Sequence, residues 1–122
     1  MKLRTLIVDD SLTVRMDLSE AFENAGFAVT LCSTLRETRV ALIGNCFALV
    51  VLDVLLTDGD GVEFLQELKA DPETASVPVI LLSTEAQVRD RVQGLQTGAQ
   101  EYIGKPYNSG YLIARAQELV RW

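Results

Sequence analysis

Several side chains able to do chemistry stand directly after short apolar segments of the chain. They are acids, hydroxyls and one lysine, and each comes where an apolar segment ends. The residues are Asp9 and Asp10 after the first segment, Asp53 after the third, Ser83 and Thr84 after the fourth, and Lys105, followed by Pro106, after the fifth. If the segments are neighbouring strands of one sheet, these groups share a site.

Three carboxylates held together repel each other, and like charges about 4 Å apart cost about 4 kcal/mol at an effective dielectric near 20. Such a cluster persists if a cation neutralises it or if its pKa values rise. The chain has no His, and oxygen ligands alone favour Mg²⁺, with Mn²⁺ or Ca²⁺ as alternatives. A metal with a lysine and a hydroxyl beside it suits a phosphoryl group, and a carboxylate is then available as nucleophile.

Each of these groups also has a simpler explanation when it is taken alone. An acidic pair before a helix stabilises the helix dipole by about 0.3–1 kcal/mol per charge, a hydroxyl can cap a helix, and a lysine can be solvated. Asp53 is harder to explain in this way. It follows five apolar residues, and the next helix is predicted to begin only near Asp60. The combination therefore favours a shared site.

The elements that position these groups alternate along the chain. Short segments rich in Val, Ile and Leu, bounded by polar residues or Gly, predict strands. These are Leu6–Val8, Ala28–Cys32, Phe47–Leu52, Val77–Leu82 and Tyr102–Ile103. Between and after them, helical spacing of apolar residues predicts helices at 11–25, 34–43, 60–70, 86–97 and from 108 to the terminus.

The helix boundaries follow from capping residues. Ser11, Thr34, Asp60 and Asn108 are predicted to begin helices, and Gly26 to stop the first one. Apolar residues at helical spacing are predicted to face the core; in the first helix they are Leu12, Leu18, Ala21, Phe22 and Ala25.

Five strand–helix units in succession predict an α/β fold, a doubly wound parallel sheet with helices on both faces, in a single domain of residues 1–122. In such sheets ligands bind beyond the carboxyl ends of the strands. The residues singled out above stand at those ends.

Composition excludes several classes of function. The formal net charge of the 122 residues is -6, which argues against direct binding to nucleic acid. The lack of His excludes His-dependent catalytic triads. No apolar run reaches the ~18 residues that cross a bilayer, so we expect no membrane association and a cytoplasmic location. Cys32 and Cys46 are predicted to be buried free thiols.

Four motifs together carry a resemblance to a known family. They are Leu6-Ile7-Val8-Asp9-Asp10-Ser11, Val51-Leu52-Asp53 with Asp60-Gly61, Leu82-Ser83-Thr84, and Tyr102-Ile103-Gly104-Lys105-Pro106-Tyr107. In this order and spacing the chain resembles the receiver domain of two-component response regulators, of the chemotaxis type. The resemblance implies a flavodoxin-like fold with strand order 2-1-3-4-5.

The resemblance also assigns roles at the site. Asp53 is the implied phosphoacceptor, receiving the group from a phosphohistidine on a histidine kinase or histidine phosphotransfer domain. The implied Mg²⁺ ligands are Asp10, Asp53 and the main-chain oxygen of Leu55, with Asp9 acting through a water. Ser83 and Lys105 would bind phosphoryl oxygens, and the Lys105–Pro106 bond is expected to be cis. The chain would be a signalling module with self-catalysed phosphotransfer, not an enzyme.

Switching is implied as well. Phosphorylation would draw the Ser83 hydroxyl inward, and Tyr102 would change rotamer. This repacks the face formed by the fourth helix, fifth strand and fifth helix, where partners or a homodimer would bind. Tyr111, Leu112 and Trp122 are candidates for that face, although core burial is an equal alternative for Leu112.

Alternatives remain open at this stage. A receiver-like adaptor that is never phosphorylated would need none of the acids, and a flavodoxin-like carrier or small phosphatase would share the fold. The chain is either a stand-alone regulator or a piece of a hybrid histidine kinase or larger regulator. Leu55 replaces a polar residue common in the family, and its bulk is predicted to slow loss of the phosphoryl group. Thr84 stands where many receivers have Ala or Gly, which would narrow access to the site.

Overall fold

The computed structural model describes residues 2–83 and 98–120. Its main sheet contains five parallel strands: β1 (Arg4–Val8), β2 (Ala28–Cys32), β3 (Leu49–Asp53), β4 (Val79–Ser83) and β5 (Glu101–Gly104). Their spatial order is β2-β1-β3-β4-β5. The predicted α/β class, the parallel sheet and the strand order are confirmed.

The described helices are α1 (Leu12–Asn24), α2 (Leu35–Leu42), α3 (Gly61–Ala70) and a C-terminal helix (Ser109–Leu119). The four predicted N-caps are confirmed, since each side chain accepts a hydrogen bond from a backbone N–H two or three residues on. Gly26 follows α1 with φ 96°, a conformation that favours glycine. The predicted helix at 86–97 and the residue Thr84 lie outside the described residues.

The strands alternate their side chains between two apolar layers. Leu6, Val50 and Leu81 belong to one layer, which packs against α2 and α3. Ile7 and Val51 belong to the other, which packs against α1 and the C-terminal helix. Because successive strand residues point to opposite faces, a strand that is apolar throughout fills both layers. This explains why β3 and β4 are buried at every residue.

A short antiparallel pair, Leu55–Leu56 with Gly59–Asp60, connects β3 to α3. At its tip the Asp58 carboxylate accepts hydrogen bonds from the backbone N–H groups of Leu35 at 2.9 Å and Arg36 at 3.1 Å. The loop after β3 therefore caps the start of α2. The sequence predicted no strand between Asp53 and Asp60, because two-residue strands have no periodicity to detect.

Two predictions of burial are wrong. Leu12, expected to face the core, is 64% exposed because it is the first residue of α1 and lies beyond the sheet. Cys46 is a free thiol but exposed, since it stands in the loop before β3, whereas Cys32 is free and buried in β2. Leu112 is fully buried, so it belongs to the core and not to a partner-binding face. Tyr111 is exposed, and Trp122 lies outside the described residues.

In the described part of the chain, the helices are too short and too polar for any of them to cross a bilayer.

Candidate functional site

Asp53 ends the central strand of the sheet and is only 7% exposed. The backbone beyond it is held closely, because the Val54 N–H donates to the Leu82 carbonyl at 3.0 Å and the Gly61 N–H to the Val54 carbonyl at 2.7 Å. A Cβ atom on Gly61 would lie 2.2 Å from the Asp53 carbonyl oxygen. The glycine after Asp60 is therefore required for α3 to start so close to the site.

Asp9 and Lys105 form a buried ion pair across the site. Asp9 is fully buried, and the Lys105 ammonium donates to its Oδ2 at 2.6 Å. The other oxygen, Oδ1, accepts from the Ser11 N–H at 2.9 Å. The Arg15 guanidinium donates to the Asp9 carbonyl at 2.8 Å. Three donors thus hold the end of β1 in place.

Lys105 also links Asp53 to β4. Its ammonium lies 3.5 Å from the Asp53 Oδ2 atom. Its backbone N–H donates to the Ser83 carbonyl at 2.7 Å, and the Lys105–Pro106 peptide bond is cis, as expected from the resemblance. The loop after β5 thereby places the Lys105 ammonium beside the Asp53 carboxylate.

The three acids converge as the sequence predicted. Carboxylate oxygens of Asp9, Asp10 and Asp53 lie within 4.8 Å of one another, and Asp10 is exposed while the other two are buried. At that separation each fully ionised pair repels by about 3–4 kcal/mol at an effective dielectric near 20. One ammonium cannot neutralise three carboxylates, so the cluster is suited to a cation.

The pKa of Asp53 reflects this crowding. Burial, followed by the charge of Asp9, raises its pKa to about 6; Lys105 opposes the rise, Asp10 adds to it, and a hydrogen bond from the Leu55 backbone opposes it. The free energy of an ionised carboxylate is therefore high at this position, and an incoming cation would lower it. Hard oxygen ligands without nitrogen or sulfur fit Mg²⁺ or Mn²⁺.

Ser83 and Tyr102 occupy the positions that the sequence analysis expected of them. Ser83 is the last residue of β4, buried, and pairs in register with Gly104 of β5. Tyr102 is half-buried in β5 and packs against the apolar layer that contacts α2 and α3. Leu55 lies two residues beyond Asp53 with 48% of its surface exposed. It stands at the rim of the site.

Sequence reasoning missed three residues that build the site. Arg15 holds the Asp9 backbone, Asp58 ties the loop after Asp53 to α2, and Gly61 admits the start of α3. A signal existed for Gly61, which belongs to the Asp60-Gly61 motif of the family resemblance but was given no role at the site. The roles of Arg15 and Asp58 depend on distances between elements, which spacing along the chain does not give.

Comparisons with known proteins point in one direction. The family model of the response regulator receiver domain matches residues 5–117. The chain is 36% identical over 116 residues to the transcriptional regulatory protein GltR of Pseudomonas aeruginosa, covering 95% of this chain and 48% of that protein.

Solved structures agree. The chain is similar to the signal receiver domain of a signal transduction histidine kinase from Syntrophus aciditrophicus, with 32% identity, a TM-score of 0.88, and coverage of 96% of this chain and 89% of that one. It is also similar to the chemotaxis response regulator CheY4 of Vibrio cholerae, with 25% identity, a TM-score of 0.88, and coverage of 98% and 99%. The chain spans about half the length of the curated relatives it matches first.

Proposed function

The chain belongs to the response regulator receiver domain family, and from this premise we propose that it is a phosphoacceptor module of two-component signalling in which Asp53 receives the phosphoryl group. The observation that carries the proposal is a buried Asp53 at the end of the central strand, with Asp9, Asp10 and Lys105 around it. Among the described residues, these three acids are the only group whose ligand atoms lie close enough together to share a metal ion.

The proposed reaction is a transfer from a phosphohistidine of a histidine kinase or histidine phosphotransfer domain. A carboxylate oxygen of Asp53 attacks phosphorus, the P–N bond breaks, and its electron pair stays on the leaving imidazole. The product is an acyl phosphate on Asp53. Lys105 already lies 3.5 Å from the carboxylate, and its ammonium would bind one phosphoryl oxygen while the Ser83 hydroxyl binds another.

The residues fit a divalent cation, because three carboxylates share one ammonium and the pKa of Asp53 is raised. We assign Asp10, Asp53 and the Leu55 carbonyl as direct ligands and Asp9 as a ligand through water. Bound Mg²⁺ would supply positive charge against the phosphoryl oxygens. The Lys105 ammonium orients Asp9 through its hydrogen bond to Oδ2, and burial of the site keeps bulk water from Asp53.

The proposed switch is a shift between two packings. A phosphoryl group adds charge and acceptor oxygens beside Ser83, which draws its hydroxyl toward Asp53. Tyr102 is half-buried in the neighbouring strand, so it can move into the space that is vacated. The face that changes would include β5 and the C-terminal helix, and it would meet an output partner or a second copy; the predicted helix at 86–97 lies outside the described residues.

The wider setting is part of the proposal. Residues 1–122 would form one receiver domain acting in the cytoplasm, either alone or within a longer regulator or hybrid histidine kinase. The matched relatives include transcriptional regulators about twice as long and a chemotaxis protein of similar length, so membership of the chemotaxis type stays a prediction. Contact with nucleic acid is not expected of this domain itself.

The decisive experiment is labelling with a small acyl-phosphate donor and Mg²⁺, followed by mass spectrometry. The parent protein should gain one phosphoryl group, and Asp53→Asn should gain none. Asp71→Asn is the matched control, because Asp71 is an exposed aspartate at the end of α3 and the amide oxygen can still accept its one backbone hydrogen bond, from the Glu73 N–H. Labelling of Asp53→Asn would refute the assignment, and no labelling of the parent would favour the unphosphorylated adaptor.

Metal binding has a separate test that does not depend on phosphorylation. A ligand that binds only the folded protein raises the melting temperature, so Mg²⁺ should stabilise the parent. Asp10→Asn should lose most of this effect, and Glu20→Gln, at an exposed position of α1, should retain it. Equal stabilisation of all three proteins would count against the metal site.

A further inference from the structure

At the end of the sheet opposite Asp53, a groove runs between α2, α3 and the loop that follows α3. Its cavity volume is about 400 Å³, within the range of sites that hold ligand groups. Apolar side chains of Leu42, Phe64 and Leu68 line it, and the latter two are buried members of the core layer. We refer to it as the α2–α3 groove.

The α2–α3 groove has a hydrophobic edge on one side. Ile43, the residue that ends α2, lines it and is 75% exposed. Single exposed apolar residues are common on protein surfaces. Here, however, the exposed side chain adjoins a cavity whose lining is itself apolar. A partner's side chain placed in the cavity would cover Ile43 as well.

The charge around the α2–α3 groove is negative. Its lining includes Glu67, Asp71 and Glu73 against one cation, Arg39. The Arg39 guanidinium is already paired with Glu67 at 3.0 Å and stacks over the Phe64 ring at 5.1 Å. Within residues 2–83 and 98–120, neither Asp71 nor Glu73 has a salt-bridge partner. Asp71 Oδ1 accepts the Glu73 N–H at 2.9 Å, so the charges of both acids at the groove are left without a cation among the described residues.

Helix geometry adds to this negative potential. Both α2 and α3 end at the groove, since their C-cap residues, Ile43 and Asp71, line it. A helix C-terminus carries a partial negative charge, which favours cations. Lys69, in the last turn of α3, offsets part of this potential, but it does not line the groove, and its ammonium already donates to the carbonyls of Ala75 and Val77 at 3.2 and 2.8 Å.

We propose that the α2–α3 groove is a docking site for a basic amphipathic helix of a partner protein. One or two apolar side chains of that helix would enter between Leu42, Phe64 and Leu68, and its lysines or arginines would face Asp71 and Glu73. The combination of an apolar floor and an acidic rim matches such a segment. A second copy of this chain is a poorer occupant, because each copy carries a net charge of -6.

The probe is a synthetic 18-residue helix with leucines at i, i+3, i+4 and i+7 spacing and lysines flanking them. Its binding to the full chain is followed by fluorescence anisotropy and by amide chemical shifts in ¹⁵N-labelled protein. Shifts should concentrate at residues 39–44 and 64–74. The same peptide with glutamate in place of lysine should not bind.

Matched variants separate docking from general attraction to an acidic protein. Glu73→Lys should weaken binding about five- to tenfold at low salt, whereas Glu20→Lys changes the net charge equally and should have little effect. Ile43→Ser should weaken binding, and Val40→Ser should not. Val40 is 64% exposed on the same helix but does not line the groove.

A native thiol offers an independent readout. Exposed Cys46 lines a small cavity that shares Leu42 and Glu73 with the groove, and Cys32 is buried. The peptide should slow the reaction of Cys46 with Ellman's reagent. Scattered shifts, equal weakening by Glu73→Lys and Glu20→Lys, or binding of spermidine alone at this groove would overturn the proposal. Acyl-phosphate labelling of Glu73→Lys should match the parent, so failure here leaves the phosphoacceptor proposal intact.

Discussion

Two clusters in this molecule have nearly the same charges and different environments. In one, Lys105 lies 2.6 Å from Asp9 and 3.5 Å from Asp53. In the other, Arg115 on the C-terminal helix lies 2.5 Å from both Glu101 and Glu118. The first cluster is 12% exposed or less at each side chain, and the second is 22% to 53% exposed.

The difference shows what burial does to a set of charges. Burial and neighbouring acids raise the pKa of Asp53 to about 6, whereas the pKa of Arg115 is raised by its hydrogen bond to Glu101, which stabilises the ion. The solvated cluster is a surface connection that is worth little. The buried cluster holds a carboxylate at high free energy, which suits binding a cation or reacting with an electrophile.

The largest effect should come from removing the buried cation. Lys105→Met should slow labelling of Asp53 by an acyl-phosphate donor about 100-fold, because the developing phosphoryl charge loses a donor. Arg115→Met removes the solvated cation and should leave the rate unchanged. Initial rates at saturating Mg²⁺ measure both. Equal rates for the two variants would mean that burial does not distinguish the clusters.

Removing the buried anion should stabilise the protein. The pKa of Asp53 in the folded protein lies above its ordinary value of 3.8. The folded state therefore binds the proton more tightly than the unfolded chain does. As a result, the free energy of unfolding falls as pH rises from about 4 to about 6. Without divalent metal at pH 7.5, Asp53→Asn should raise the free energy of unfolding by about 1–2 kcal/mol. Urea titrations at pH 7.5 and pH 4 measure it.

The gain should vanish at pH 4, where the parent carboxyl is protonated. Glu101→Gln, in the solvated cluster, should show no gain at either pH. If Asp53→Asn were less stable than the parent at pH 7.5, the ionised Asp53 carboxylate would be stabilised by its neighbours more than burial destabilises it.

A change at the rim of the buried cluster should have a smaller effect, on the lifetime of the phosphorylated protein. Leu55 is half-exposed beside the site, and a polar side chain there should admit water. Leu55→Asn should shorten the lifetime of the phosphorylated protein about threefold. Thr57→Asn, an exposed position of the same loop, should not change it. An unchanged or longer lifetime for Leu55→Asn would contradict the idea that this leucine screens the acyl phosphate.

The smallest effect is expected on the melting temperature when an acid of the solvated cluster is neutralised. Glu101→Gln should shift the melting temperature by no more than about 2 °C, and the shift should fade in high salt because exposed charges are screened. Scanning calorimetry at low and high salt measures it. A large shift that persists in salt would show that this cluster contributes as a buried pair does.

Sequence patterns were sufficient for the alternation of strands and helices and for the placement of the acids at one edge of the sheet, while the strand order was implied only by the family resemblance. Runs such as residues 49–52 are apolar at every position, which is typical of a strand covered on both faces. The acids that follow such runs are placed at one edge by any parallel sheet. Cys46 was misjudged because an apolar neighbourhood in the sequence does not show which side of a loop faces solvent.

Sequence patterns did not predict the contacts between residues that are far apart in the chain. The pair between Lys105 and Asp9 spans 96 positions of the chain, and Asp58 caps a helix 22 and 23 residues before it. Nothing in local spacing specifies either, because both depend on how the elements pack. The α2–α3 groove is likewise a product of packing between two helices.

The amino-acid order alone determined which residues are available for chemistry and that alternating strands and helices would gather them at one edge of a sheet. Only the tertiary structure decided which acid is desolvated, which is solvated, and which of them the lysine contacts. The physical reason is that residue type sets a charge, while its energy depends on the distance to other charges and on access to water. Those two quantities exist only after the chain has folded.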